Sequence, residues 1–293
     1  YPVRGIRRKN VGEAVLHSLL APDGTFVGLT LPPLNPAEQP RYEQWKALAQ
    51  HWQPPFRFDV GAGGGLSFAE NLAASDAILT TSVAEGFGMV YLESWLADRP
   101  LMGRDLPELT RDFTEAGLDL AGLSDRLGIP AGWIDRSLLK EVILSAYRTA
   151  LATYHRPAPP DLPDRVDARL RSETIDFADL DEAFQAAVIE RVVHQPSARD
   201  ELLAANPWIR ANARVKPLER PGRTACLDTE SFVQSNAEVV RREFSLEPGG
   251  MRLAAVYGAI LNSPRGREIQ PLARPGAILD RFLEFDRFRL LRN

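Results

Sequence analysis

Apolar and polar positions divide the first third of the chain into short strands and helices in succession. Tyr1-Pro2-Val3-Arg4 ends a strand, and a helix follows through Leu20, with Asn10 as N-cap and Val11, Ala14, Val15 and Leu19 as its stripe. Thr25 to Leu31 reads as the next strand, and Pro32, Pro33 and Pro36 break the chain before a helix from about Pro40 to Trp52. Phe56 to Val60 alternates as a strand, Gly61 to Gly65 form a loop, and a helix spans about Ser67 to Ser75. The β-branched run Ile78-Leu79-Thr80-Thr81 predicts a buried strand. Met89, Val90, Leu92, Trp95 and Leu96 then recur at helical spacing, and Pro100 to Gly103 returns to strand. This alternation predicts an α/β fold, a Rossmann-like, doubly wound parallel sheet with right-handed crossovers.

After Asp105 the texture changes. Leu106 to Phe113 and then Leu118 to Tyr154 read as helical, His155 to Pro163 as a Pro-rich linker or surface loop. Arg165 to Val193 is a second helical region, interrupted at Ile175-Asp176-Phe177, and Trp208 to Thr224 has no clear pattern. Asn236 to Glu247 and Met251 to Tyr257 are helical again. Ile278 to Phe288 is an amphipathic, aromatic-rich tail, expected to pack on the body or on a partner domain.

Two loops that follow strands carry the candidate chemistry. Arg4 and Lys9 flank the first strand–helix turn, where two cations and a helix N-terminus together suit a diphosphate. Glu85-Gly86-Phe87-Gly88 leads into the helix after the Ile78 strand, and its glycines let backbone N–H groups approach a ligand. Glu93 lies about two turns along that helix, roughly 12 Å from Glu85 by helical rise. Carboxylates so far apart do not share a proton; they suit separate groups of one extended ligand. The plain alternative is that Glu85 and Glu93 are exposed acids favoured by the helix dipole, and that Arg7 and Arg8 are solvated. In a doubly wound sheet both loops fall on one edge, beyond the strands' carboxyl ends.

The pattern of Glu85, seven residues and Glu93, set between a strand and a Pro-led strand, resembles the donor-site signature of the "group 1" retaining glycosyltransferases of GT-B fold. Arg4 and Lys9 resemble that family's basic pair, and Phe244-Ser245, Glu247 and Tyr257 resemble the run that closes its donor domain. The resemblance implies that Arg4 and Lys9 bind the diphosphate of a nucleotide sugar and stabilise it as the glycosidic bond breaks. It implies that Glu85 contacts the transferred sugar, Gly86, Phe87 and Gly88 orient sugar and phosphate through their amides, and Glu93 holds the ribose. Gly63, Gly64, Gly65 and Leu66 would then face the base. The donor would be a UDP, GDP or ADP sugar, with no metal or other cofactor. The family has Gly more often where this chain has Asn10, which bears on the loop's approach to phosphate.

On this reading residues 1–105 are the core of a nucleotide-sugar-binding domain, 106–235 a mostly helical elaboration of it, and 236–293 closing helices and tail. The acceptor-binding domain would lie outside this chain, in a domain preceding Tyr1 or in a partner chain, and the acceptor itself is open. Two rival classes remain: a non-catalytic nucleotide-sugar-binding or assembly subunit, and a sugar-nucleotide epimerase or glycan phosphorylase of similar build.

Composition narrows the field further. The 293 residues are 44% hydrophobic and 25% charged with net charge −4, an ordinary globular balance that offers no global field for nucleic acid. One cysteine, Cys226, excludes an intrachain disulfide. No apolar run is long enough to span a membrane, so the expected location is cytoplasmic, the membrane periphery included. His17, His51, His155 and His194 lack metal-ligand spacing, and no G-x-S-x-G elbow is present.

Overall fold

A computed structural model describes residues 1–212, 227–263 and 273–292. Cys226 and part of the stretch from Trp208 to Thr224 lie outside the described residues. The first group of strands is parallel. The chain at Tyr1–Gly5 runs beside β1 (Val27–Gly28), which pairs with β2 (Phe56–Arg57) in the register Val27 to Phe56. The pairing extends beyond these short strands, because the Gly5 amide donates to the Leu31 carbonyl (2.9 Å) and the Val60 amide to the Leu29 carbonyl (3.1 Å). The second group is also parallel: β3 (Ile78–Thr80), β4 (Leu101–Arg104) and β5 (Leu123–Ser124), in the order β3-β4-β5. Tyr1 joins the two groups, its hydroxyl donating to the Lys9 carbonyl at 2.5 Å and lying 3.5 Å from Ser82 Oγ.

Helices alternate with these strands. α1 (Val11–Leu20) is buried on almost every side, with Ala14, Val15 and Leu16 fully enclosed. It is therefore a central helix and not the one-sided amphipathic helix its stripe predicts. α2 (Gln39–Trp52) buries Tyr42, Trp45 and Trp52. α3 (Phe68–Ala74) begins at a capping box: the Ser67 hydroxyl accepts from the Glu70 amide, and the Glu70 carboxylate accepts from the Ser67 amide. α4 (Val90–Leu96) and α5 (Pro107–Glu115) complete this half. The result is mixed α/β with parallel sheets, compatible with a Rossmann-like arrangement.

The expected helical run from Leu118 to Tyr154 is corrected. It contains β5, then β6 (Gly128–Pro130), and only then α6 (Arg136–Thr153). Gly128 and Pro130 disfavour helix, one through backbone entropy and the other through its missing N–H, while Leu123 finds a strand partner in Gly103. The interruption at Ile175 is β7 (Thr174–Asp176), antiparallel to β6. The Pro-rich stretch ends within α7 (Leu162–Leu170), since Pro163 is tolerated in a first helical turn. α8 (Glu182–His194), α9 (Pro196–Ala205) and α10 (Pro207–Asn212) follow.

One hydrophobic cluster takes Val15, Leu29 and Trp45 from the first half, Leu139, Phe177 and Ile189 from the middle, and Phe285 and Leu290 from the tail. A second joins Tyr91, Trp95 and Leu101 to Val233, Ala237 and Val240 of α11 (Leu227–Phe244). α12 (Leu246–Leu261) has no buried residue and leaves Leu246, Tyr257 and Leu261 exposed. The expected tail helix is short, α13 (Ala277–Phe282), and a 3₁₀ turn at Phe285–Arg287 follows it. Phe285 and Phe288 stack edge-on against Tyr147, so the tail packs on the body while Ile278 and Phe282 stay exposed. Among the described residues, no helix is long and apolar enough to cross a membrane.

Candidate functional site

Two loops at the carboxyl ends of neighbouring strands are stitched together by their backbones. After the Tyr1–Gly5 strand the chain makes a 3₁₀ turn, Arg7–Lys9, and enters α1. The Val83 amide donates to the Arg8 carbonyl (2.9 Å), and the Thr81 hydroxyl donates to the carbonyls of Lys9 (2.9 Å) and Asn10 (3.1 Å). Asn10 adopts the left-handed conformation, φ 54° and ψ 56°, which asparagine tolerates better than other non-glycine residues. Asn10 therefore supplies the turn that a glycine would supply, and its side chain is put to other use.

This stitching brings Lys9 onto Glu85. The Lys9 ammonium donates to Glu85 Oε1, and Arg8 Nη1 lies 3.3 Å from Glu85 Oε2 while donating to the Ala84 carbonyl at 3.0 Å. Arg8 is therefore tied to the site and is not a purely solvated residue. Arg7 turns the other way, its guanidinium forking onto Glu182 at 2.6 and 3.0 Å. Arg4 lies on the same edge without touching Glu85; its Nη1 donates to the Pro32 carbonyl at 3.1 Å.

Beyond Glu85 the loop is open. Gly86 has clear space around it, and Phe87 is 85% exposed. Gly88 has φ +65°, a left-handed backbone that favours glycine, and a Cβ there would lie 2.1 Å from Leu109 Cδ2, so the Leu109 side chain would have to shift. The left-handed Gly88 also keeps a helix from forming across the loop. α4 begins at Val90, and Glu93 stands in its first turn, not two turns along as the spacing predicts. Glu93 is exposed. Tyr91 fixes the helix below it by donating to the Arg104 carbonyl at 3.0 Å. Gly63 and Gly64 adopt positive φ in an exposed loop that runs through Gly65 and Leu66 to the Ser67 cap, on the same edge.

Beneath the Arg7–Lys9 turn lies a buried polar network. Arg104, at the end of β4, forks onto Glu13 with Nε at 3.0 Å from Oε1 and Nη2 at 2.7 Å from Oε2. The same guanidinium reaches Asp176 with Nη1 at 3.1 Å and Nη2 at 2.9 Å. Asn10 Nδ2 donates to Glu13 (2.7 Å), and Gln185 Nε2 donates to Asn10 Oδ1 (2.9 Å), which ties α8 to the turn. Burial pushes the Glu13 carboxyl above its ordinary range and outweighs the attraction of Arg104. Asp176 is also pressed upward by burial, but the Arg104 charge and hydrogen bonds from Arg104 and the Leu127 amide prevail and hold it below its ordinary value.

The chain is similar to a synthase. It is 34% identical over 113 residues to the mannosylglucosyl-3-phosphoglycerate synthase of Petrotoga mobilis (strain DSM 10674 / SJ95), a stretch that is 39% of this chain and 22% of that protein. The match thus spans about a fifth of the relative's length. No family model matches the chain, and no solved structure matches it.

In chemical terms the edge offers Arg8 and Lys9 around the Glu85 carboxylate, Arg4 at the end of the first strand, an exposed glycine loop, and a second, exposed carboxylate at Glu93. That arrangement can bind an extended, anionic, hydroxyl-bearing molecule. Sequence reading missed the contact between Arg8 and Glu85 and the whole Arg104 network. Glu13 had one visible signal, an acid in an otherwise apolar stretch of α1, but nothing near it in the chain names its partner.

Proposed function

We propose that this chain carries the donor-binding portion of a retaining glycosyltransferase of GT-B type, which transfers a sugar from a nucleoside-diphosphate sugar to an acceptor. The observation that carries the reading is the meeting of Lys9 and Glu85 across two strand ends, 76 positions apart, beside the Gly86–Gly88 turn. The similarity to a sugar-phosphoglycerate synthase supports sugar transfer in general. Arg4 and Lys9 take the diphosphate, and the charge that develops on it as the anomeric C–O bond breaks is stabilised by these two cations. Glu85 receives hydroxyls of the transferred sugar, Glu93 the ribose, and the loop at Gly63 to Leu66 the base. A diphosphate leaving group needs little acid assistance, so no metal or general acid enters the reading. The relative's name suggests an acceptor class to try, a glycoside of phosphoglycerate.

The test is calorimetric titration of the chain with UDP, GDP and ADP, then with their glucose and mannose conjugates, without added metal. One nucleotide should bind clearly better than the other two, and its sugar conjugate better still. Binding of none of them overturns the reading. The exposed apolar side chains of α12 favour a second reading, a non-catalytic assembly subunit, which predicts donor binding with neither hydrolysis nor transfer of the sugar.

A further inference from the structure

The Glu85 carboxylate is engaged by two cations, and one of them, Lys9, is needed by the proposed chemistry on the diphosphate. Oε1 accepts from Lys9 and Oε2 faces Arg8 at 3.3 Å, so each oxygen has its own positive partner. The side chains of Lys9 and Glu85 are 14% and 10% exposed, whereas Arg8 is 42% exposed and forms the solvent-facing member of the trio. Two cations around one carboxylate leave a net charge of +1 in the trio, with Arg8 its solvent-exposed member. A carboxylate held this way has the same relation to Lys9 and Arg8 as phosphate oxygens would have, and a diphosphate carries more negative charge to the same donors.

We propose that Glu85 is the resident counter-ion of a phosphate site formed by Lys9 and Arg8, and that a nucleoside diphosphate displaces the Glu85 carboxylate from both cations. This rests on the donor-binding reading above and adds Arg8 to the residues that hold the diphosphate. The exchange has a consequence for specificity. In the free protein Glu85 competes with any phosphate for Lys9 and Arg8. Once displaced, its two oxygens are available to sugar hydroxyls, so a donor that brings a sugar recovers the cost of opening the pair and a bare nucleoside diphosphate does not. Glu85 thus both weakens product-like ligands and rewards the intact donor. The affinity expected for a bare nucleoside diphosphate is its intrinsic affinity multiplied by the fraction of protein in which the pair is open.

The experiment titrates the full chain, the Glu85→Gln variant and the Arg8→Gln variant with UDP, GDP, ADP and inorganic pyrophosphate, followed by the sugar conjugate of the best binder. Glu85→Gln should bind the bare nucleoside diphosphate and pyrophosphate about three- to tenfold more tightly, the scale of a partly buried ion pair, and should lose the extra affinity for the sugar conjugate. Arg8→Gln should weaken the bare nucleoside diphosphate by about three- to tenfold, and more in the Glu85→Gln background, where no carboxylate competes. A folded Glu85→Gln protein with unchanged or weaker nucleoside-diphosphate affinity overturns the exchange. Should Glu85→Gln fail to fold, the exposed Arg8 still decides, because unchanged affinity in Arg8→Gln removes Arg8 from the site and overturns the proposal. A wild-type chain that binds no nucleotide or pyrophosphate overturns both the donor-binding reading and this one, whereas nucleotide binding with either negative result above overturns the exchange alone.

Discussion

Arg104 and Glu13 lie 91 positions apart and meet in a forked pair, 3% and 1% exposed. The pair fixes the first turn of α1 to the end of β4, and through Asn10 it holds the residue next to Lys9. With Asp176 the cluster has two carboxyls for one guanidinium, so burial disfavours charge on one of them, and Glu13 is the one pushed up. The guanidinium is the member that cannot be lost.

Arg104→Ala should therefore destabilise the protein by about 3–5 kcal/mol, the cost of leaving a buried charge without its partner. Glu13→Gln should cost only about 1 kcal/mol, since it retains a hydrogen-bonding side chain and removes the disfavoured charge. Urea unfolding of both variants checks the order, and an equal or reversed order refutes this account of the cluster.

His17 gives the protein a pH dependence. Its Nε2 is buried without a hydrogen bond, its ring meets Trp208 edge-on at 5.7 Å, and burial followed by the Arg104 charge lowers its pKa to about 4. Between that value and about 6.5 the unfolded chain binds a proton at His17 and the folded chain does not, so stability rises with pH across the window. The contribution is complete above about pH 6.5, is lost as pH falls toward 4, and amounts to about 3 kcal/mol at most. Unfolding free energies of wild type and His17→Gln should run parallel above pH 7 and converge or cross between pH 6.5 and 5.

Gly88→Ala should disrupt the loop directly. The left-handed backbone strains any residue with a Cβ, and a methyl group there would displace the Leu109 side chain, whose Cδ2 would lie 2.1 Å away. We expect a loss of about 1–3 kcal/mol in stability, with nucleotide-sugar binding weakened more than the residual folded fraction explains. Thermal melts paired with titration separate the two effects.

Glu93→Ala should leave stability unchanged, because the side chain is exposed, and should weaken nucleotide-sugar binding by roughly 1.5–3 kcal/mol. Unaltered affinity in the folded variant removes Glu93 from the site.

Replacing Arg4 and Lys9 together by Ala should abolish the preference for a nucleoside diphosphate over the bare nucleoside. The comparison is made by calorimetry at fixed ionic strength, since screening alone weakens phosphate contacts. Persistence of the preference places the phosphate site elsewhere.

Adjacent residues were enough to determine the alternation of strands and helices up to Arg104, and with it the placement of Arg4 at a strand end and of Lys9 and Glu85 in segments that follow strands. Periodicity and turn chemistry are local properties, expressed within a few positions of each residue. Locality also explains the failures. A short pairing such as Leu123 with Gly103 leaves too weak a pattern to separate β5 from a helix, and the start of α4 depends on the backbone of Gly88, which residue spacing does not report. Tertiary structure alone decided that Arg8, rather than Arg4, reaches Glu85, that Asn10 replaces a glycine while bridging Gln185 to Glu13, and that Arg104 joins Glu13 to Asp176. These are meetings of charges across tens of residues, set by which loops the sheet brings together and by how much water the packing removes. Neither quantity has a signature in the neighbourhood of any single residue.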